Sequence, residues 1–104
     1  MALVLTPTQE QKIKVLGTDI ELNSLYLRLE FRARANGLTL EINGTQFINK
    51  QMFLANTPVA TDIVSPQVMF DIDPLTQIQD INAVHAIMKS HYEQNGYGVT
   101  IDMN

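Results

Sequence analysis

Residues 25–47 constrain the fold more than any other part of the chain. Leu25, Leu27, Leu29, Phe31, Ala33 and Ala35 alternate with Tyr26, Arg28, Glu30, Arg32 and Arg34. A period of two marks a strand with one apolar and one polar face. The run ends at Asn36-Gly37, a dipeptide suited to the positive φ angles of a tight hairpin turn. Leu38, Thr39, Leu40, Glu41 and Ile42 then resume the alternation. Folding about Asn36-Gly37 sets Ala33 opposite Leu40, Arg32 opposite Glu41 and Phe31 opposite Ile42, so apolar meets apolar and cation meets anion.

The flanking segments read the same way. Ile13 and Val15 alternate with Lys12 and Lys14 before Gly17-Thr18. A two-residue turn there, with glycine first as type II′ prefers, places Val15 opposite Ile20, Lys14 opposite Glu21 and Ile13 opposite Leu22. A second Asn-Gly, Asn43-Gly44, is the favoured site of another tight turn, which sets Leu40 against Phe47; the alternative is a bulge with the strand running on. Met52-Phe53-Leu54 reads as buried. Asn56 to Pro66 reads as a loop anchored by Val59, Ile63 and Val64.

Val68, Phe70 and Ile72 alternate with Met69, Asp71 and Asp73, a further strand. Asp73-Pro74 fits an N-cap followed by proline in the first helical turn. Leu75, Ile78, Ile81, Val84, Ile87 and Met88 then form one stripe of an amphipathic helix. A kink is expected near Asp80, and Asn95-Gly96 is a left-handed stop. Val99, Ile101 and Met103 close the chain as a strand.

These elements predict one α+β domain over residues 1–104: a mostly antiparallel sheet or small sandwich built from hairpins, with one amphipathic helix near the C-terminus. A chain of 104 residues can bury roughly 65% of its unfolded surface. Residues 1–8 are expected to form an extended arm, with Leu3, Val4 and Leu5 docking on a neighbour's sheet edge.

Charge and composition narrow the function classes. The net charge is −4, which weighs against bulk electrostatic attraction to nucleic acid. The distribution is uneven: five basic and four acidic side chains in residues 1–34, two basic and seven acidic in the remainder. Cysteine is absent, which removes disulfides and thiolate chemistry. No apolar run reaches the roughly 18 residues of a bilayer span, so no membrane insertion is expected. Met1 to Pro7 lacks a signal-peptide pattern, so synthesis in the cytoplasm without a leader is expected. Asn43-Gly44-Thr45 matches a glycosylation sequon but reads as a turn. Asparagine and glutamine number sixteen, a surface of adaptable hydrogen-bonding groups suited to packing against other proteins.

Candidate chemistry is sparse. His85 and His91 lie about 240° apart around the expected helix, not on one face, and read as exposed or interfacial rather than as a zinc pair. Asp71 and Asp73 share one strand face and, with Asp62 or Asp80, are the candidates for a hard-cation site; a polar strand face with an N-cap is the favoured account of them. Nucleophile-elbow, phosphate-loop and dinucleotide motifs are missing. Tyr26, Arg28, Arg32 and Arg34 share the polar face of the long strand. An aromatic among arginines is the arrangement that stacks bases and tracks phosphates in single-stranded nucleic-acid binders, although Glu30 and Glu41 interrupt it.

Ser24-Leu25-Tyr26-Leu27-Arg28-Leu29-Glu30-Phe31, followed by Asn36-Gly37-Leu38-Thr39-Leu40-Glu41-Ile42, resembles small virion structural proteins of tailed bacteriophages. The resemblance spans residues 13–53 and lies in strand texture and amide-rich surface. It implies a non-enzymatic, multi-copy building block of a tail, baseplate or head–tail junction, and it assigns no functional residue. The balance of residues therefore favours an assembly protein with protein partners or a homo-oligomeric state, no cofactor and no small-molecule ligand. Its candidate interface residues are Leu3, Val4, Leu5, Tyr26, Arg28, Arg32 and Arg34.

Overall fold

A computed structural model describes residues 1–33, 39–64, 67–71 and 81–103. The chain is α+β: a five-stranded antiparallel sheet with two helices among the described residues. Its strands are β1 (Ala2–Thr6), β2 (Leu25–Ala33), β3 (Thr39–Phe47), β4 (Gln67–Asp71) and β5 (Gly98–Asp102), in the order β4-β3-β2-β1-β5. The helices are α1 (Lys50–Leu54) and α2 (Ile81–Gln94). No described helix is long and apolar enough to cross a membrane.

The long hairpin has the register that its alternation demands. Phe31 pairs with Ile42, Arg32 with Glu41 and Ala33 with Leu40. The Asn36-Gly37 turn itself lies outside the described residues, as do Arg34, Ile72 to Asp80 and the expected helix start at Asp73-Pro74.

The N-terminal segment departs from expectation. Ala2–Thr6 is not an extended arm but an inner strand, paired with β2 through Leu3↔Leu27 and with β5 through Leu3↔Ile101. Ala2, Leu3 and Leu5 are fully buried. The physical reason is that the apolar run Ala2–Leu5, with both edges paired, removes its peptide groups and most of its side-chain surface from water together.

Asn43-Gly44 is not a turn either. β3 runs straight through it, and Gly44 pairs with Leu29. Space favours glycine there: a Cβ on Gly44 would stand 2.7 Å from Leu27 Cδ1 and 3.0 Å from Leu27 Cγ, so Leu27 would have to shift. The segment before β2 keeps the expected register, with a bridge between Lys14 and Glu21 and bonds from Val15 N to Ile20 O and from Leu22 N to Ile13 O. Its turn is shifted, however. Thr18 N donates to Val15 O, so Gly17, at φ 75°, is the third residue of the turn rather than the first central one.

One sheet face carries the main core. Leu3, Leu5, Leu25, Leu27, Leu40, Ile42 and Val99 pack there with Val84, Met88 and Tyr92 of α2, and Val59, Ile63 and Val64 anchor the loop as expected. The helix stripe is rotated from the expected one. Ile81 is exposed and Ile87 half-buried, whereas His85 and Tyr92 join Val84 and Met88 in the buried row. Burial pushes the Tyr92 hydroxyl pKa well above the ordinary tyrosine range, with the neighbouring Tyr97 adding to the effect.

Both helices end in the same way. After α2, Gly96 takes φ 96°, Gly96 N donates to Glu93 O, and Tyr97 N donates to Tyr92 O. This is the Schellman arrangement, completed by the Tyr92–Tyr97 ring contact at 6.0 Å. After α1, Asn56 plays the glycine role at φ 53°, with Asn56 N on Phe53 O and Thr57 N on Met52 O.

Two stability measurements check this architecture. Leu3→Ala should destabilise the fold by about 2–5 kcal/mol, because it opens a cavity beneath an inner strand; a change within about 0.5 kcal/mol in denaturant unfolding would return β1 to the status of an arm. Gly44→Ala should cost about 1–3 kcal/mol through overpacking, and Leu27→Val in the same chain should recover part of that loss.

Candidate functional site

The opposite sheet face is only partly covered, and it gathers most of the sequence's candidate residues. Alternation along β2 sends Tyr26, Arg28, Glu30 and Arg32 to this side, opposite Phe47, Thr45, Asn43 and Glu41 of β3. The short helix α1 lies over one end of it. Asn49 caps that helix by accepting from Met52 N at 2.9 Å. Met52 and Phe53 then pack on Ala2, Val4, Tyr26 and Phe47. Leu54, expected to be buried with them, is exposed, since the five-residue helix has room for only one apolar side.

This lid changes the standing of two candidates. Tyr26 is buried, with its ring 5.7 Å from that of Phe53. It is therefore not a platform on which a base can stack. Arg28 lays its guanidinium over the Phe53 ring, 4.5 Å from the centroid, and donates from Nη1 to Met1 O at 2.9 Å. Its charge is held against the protein by a cation–π contact and a backbone carbonyl. Val4 is half-buried under the same helix, and Leu3 and Leu5 are in the core on the other side. These three, expected to reach a neighbouring chain, are instead internal to the sheet.

Beyond the lid the described residues of this face are polar. Glu41 is its centre. Its Oε2 accepts from Arg32 Nε at 3.4 Å and Nη2 at 3.3 Å, and its Oε1 accepts from Asn43 Nδ2 and Gln67 Nε2, both at 3.1 Å. The carboxylate bearer is buried, with a side chain 7% exposed, whereas the side chain of Arg32 is 75% exposed. The ladder thus spans β2, β3 and β4 and presents a guanidinium to water. Beside it, Glu30, Arg32 and Asn43 line a shallow groove of about 280 Å³. A second hollow of about 320 Å³ lies between Arg28, Thr45, Phe53 and Asn56.

The remaining candidates lie apart from this face. Arg34 and Asp73 fall outside the described residues, and only the backbone of Asp71 is described, paired with Thr39. Among the described residues, no cluster of three His, Asp or Glu side chains is placed to hold a metal. His85, expected at the surface, is buried in the α2 stripe. Its Nδ1 lies 2.7 Å from Ile81 O, which identifies Nδ1–H as the donor and leaves Nε2 without a partner among the described residues. His91 is half-buried against the Tyr92 ring at 5.3 Å.

Sequence reasoning did not find α1 or the role of Gln67. Asn49 three residues before Met52, with Asn56 as a left-handed stop, is a usable signal for the helix. Gln67 carries no such signal, because its place beside Glu41 arises from the β3–β4 register.

No protein-family model, curated protein or solved structure matches this chain.

The burial asymmetry within the ladder leads to a mutational contrast. Glu41→Ala should destabilise by about 1–3 kcal/mol, since it strips the acceptor from two amides and a guanidinium. Arg32→Ala should cost less than about 1 kcal/mol, as for other exposed partners. Equal losses in thermal or denaturant unfolding would show that the carboxylate is not the centre of the ladder.

Proposed function

We propose that this chain is a non-enzymatic structural or assembly protein that engages neighbouring chains through its sheet edges and its charged strand face, and that it serves as a multi-copy virion component. The observation that carries the reading is the open sheet. Among the described residues β4 and β5 each pair on one side only, and a strand with a vacant side is a template for another chain. The uneven charge supports it as well. Arg32 presents its guanidinium to water in a chain whose residues 35–104 carry an excess of five acidic groups. The virion setting rests on the resemblance of residues 13–53 to phage structural proteins.

The partner is a protein surface rather than a nucleic acid in this reading. Tyr26 is covered by α1 and Arg28 is engaged by Phe53 and Met1, which leaves Arg32 as the described arginine of this face that is most open to water.

Light scattering coupled to size-exclusion chromatography, over about a hundredfold range of concentration, tests the proposal. The expected result is a mass that rises above the 11.7 kDa of one chain toward a defined oligomer, with Arg32→Glu weakening it. A single-chain mass at every concentration would remove self-assembly from the proposal. Micromolar binding to a labelled single-stranded oligonucleotide in fluorescence anisotropy at moderate salt would overturn it in favour of nucleic acid.

A further inference from the structure

The outer strand β5 lacks most of the features that usually protect a sheet edge. Between Tyr97 and Met103 the sequence has no lysine, arginine or proline. All five residues of β5 pair in unbroken register with β1, from Thr6↔Gly98 to Ala2↔Asp102, so no bulge twists the edge away. The strand's one charged side chain, Asp102, has its carboxylate 3.7 Å from Lys50 Nζ. Among the described residues no strand occupies the outer side.

The side-chain order of this edge is self-complementary. We infer that β5 pairs with the β5 of a second copy, antiparallel about Thr100, so that the two sheets become one continuous sheet around a two-fold axis. A two-fold contact uses the same patch on both copies, and directly opposed residues in an antiparallel pair share a face. Centring on Thr100 overlaps the whole strand. It sets Val99 opposite the partner's Ile101 and Tyr97 opposite the partner's Met103, all on the core face. Met103 is 66% exposed in the single chain, and the pairing gives it an apolar neighbour. On the other face Thr100 meets the partner's Thr100, a favourable cross-strand pair, and Gly98 meets the partner's Asp102. The two aspartates then stand at opposite ends of the contact instead of facing each other.

This inference rests on the assembly reading and names its partner as a second copy. Thr100 is exposed and is the one position in this register that faces itself. Thr100→Lys and Thr100→Glu should therefore each place like charges in direct opposition and weaken the dimer by at least about tenfold, with little effect on the unfolding of the single chain. Mixing the two variants should restore a mixed dimer in light scattering, because lysine then opposes glutamate. Thr100→Cys gives a second readout in a chain that has no cysteine of its own. Mild oxidation should link it as a covalent dimer, whereas Asp19→Cys, at the exposed Gly17 turn, should stay unlinked. Concentration-dependent assembly that is unchanged in both charge variants, with no cross-link through Thr100→Cys, overturns the β5 pairing and leaves the assembly reading standing. A wild-type single-chain mass at every concentration, with no cross-link, overturns both.

Discussion

Everything in this fold hangs on the burial of β1 between β2 and β5. It is the strand that joins the β2–β3–β4 meander to the C-terminal strand. Its pairs with β5 connect residues nearly a full chain length apart, from Ala2↔Asp102 to Thr6↔Gly98. Closing so long a loop is costly in entropy, and five residues of backbone pairing do not offset it alone. The compensation comes from Ala2, Leu3 and Leu5, whose side chains are wholly removed from water, and from α2, which packs Val84, Met88 and Tyr92 against the same core. The close fit persists at the strand end, where a Cβ on Gly98 would meet the Thr6 hydroxyl.

Local alternation was sufficient to find β2, the Phe31↔Ile42 register and the pairing of Lys14 with Glu21, because each depends on neighbours close in sequence. It was insufficient for β1. Ala2-Leu3-Val4-Leu5 is apolar at every position, so it shows no preferred face, and its partners lie some twenty and ninety-five residues away. Gly44 illustrates a different ambiguity. Asn-Gly suits a turn, but glycine also suits a strand where a neighbouring side chain crosses close above the backbone. Leu27 occupies that space here, and the demand arises only once β2 and β3 are packed.

The candidate site shows the same division between what alternation decides and what packing decides. The period of two correctly grouped Tyr26, Arg28 and Arg32 on one side of β2, apart from the leucines. Which side of a strand a residue occupies does not say what lies over it. α1 is short and seated by Phe53 on Tyr26 and Phe47, at 5.7 and 5.3 Å, so it converts half of a polar face into a second small core. Arg28 remains compatible with that core because its guanidinium lies on the ring face while its Nη1 reaches Met1 O. Past the end of α1 the charged residues divide, with Arg32 exposed and Glu41 buried beneath its ladder.

The same closure that makes β1 internal determines what is left for other molecules. Once β1 is paired on both sides, the vacant sides of the sheet fall to β4 and β5 among the described residues. The Arg32–Glu41–Gln67 ladder ties the first residue of β4 to β3 across the sheet face. At β5 the one carboxylate is turned toward Lys50 across the sheet face, and the residues between Val99 and Ile101 are uncharged. An edge with no charge at its centre and no bulge is a hazard unless pairing there is selective. Selectivity requires a register in which every opposed pair is acceptable, and on β5 the two-fold about Thr100 meets that requirement while matching its apolar row. The two vacant sides therefore differ in kind: β4 is tied to its neighbour by a side-chain ladder, and β5 is suited to a copy of itself.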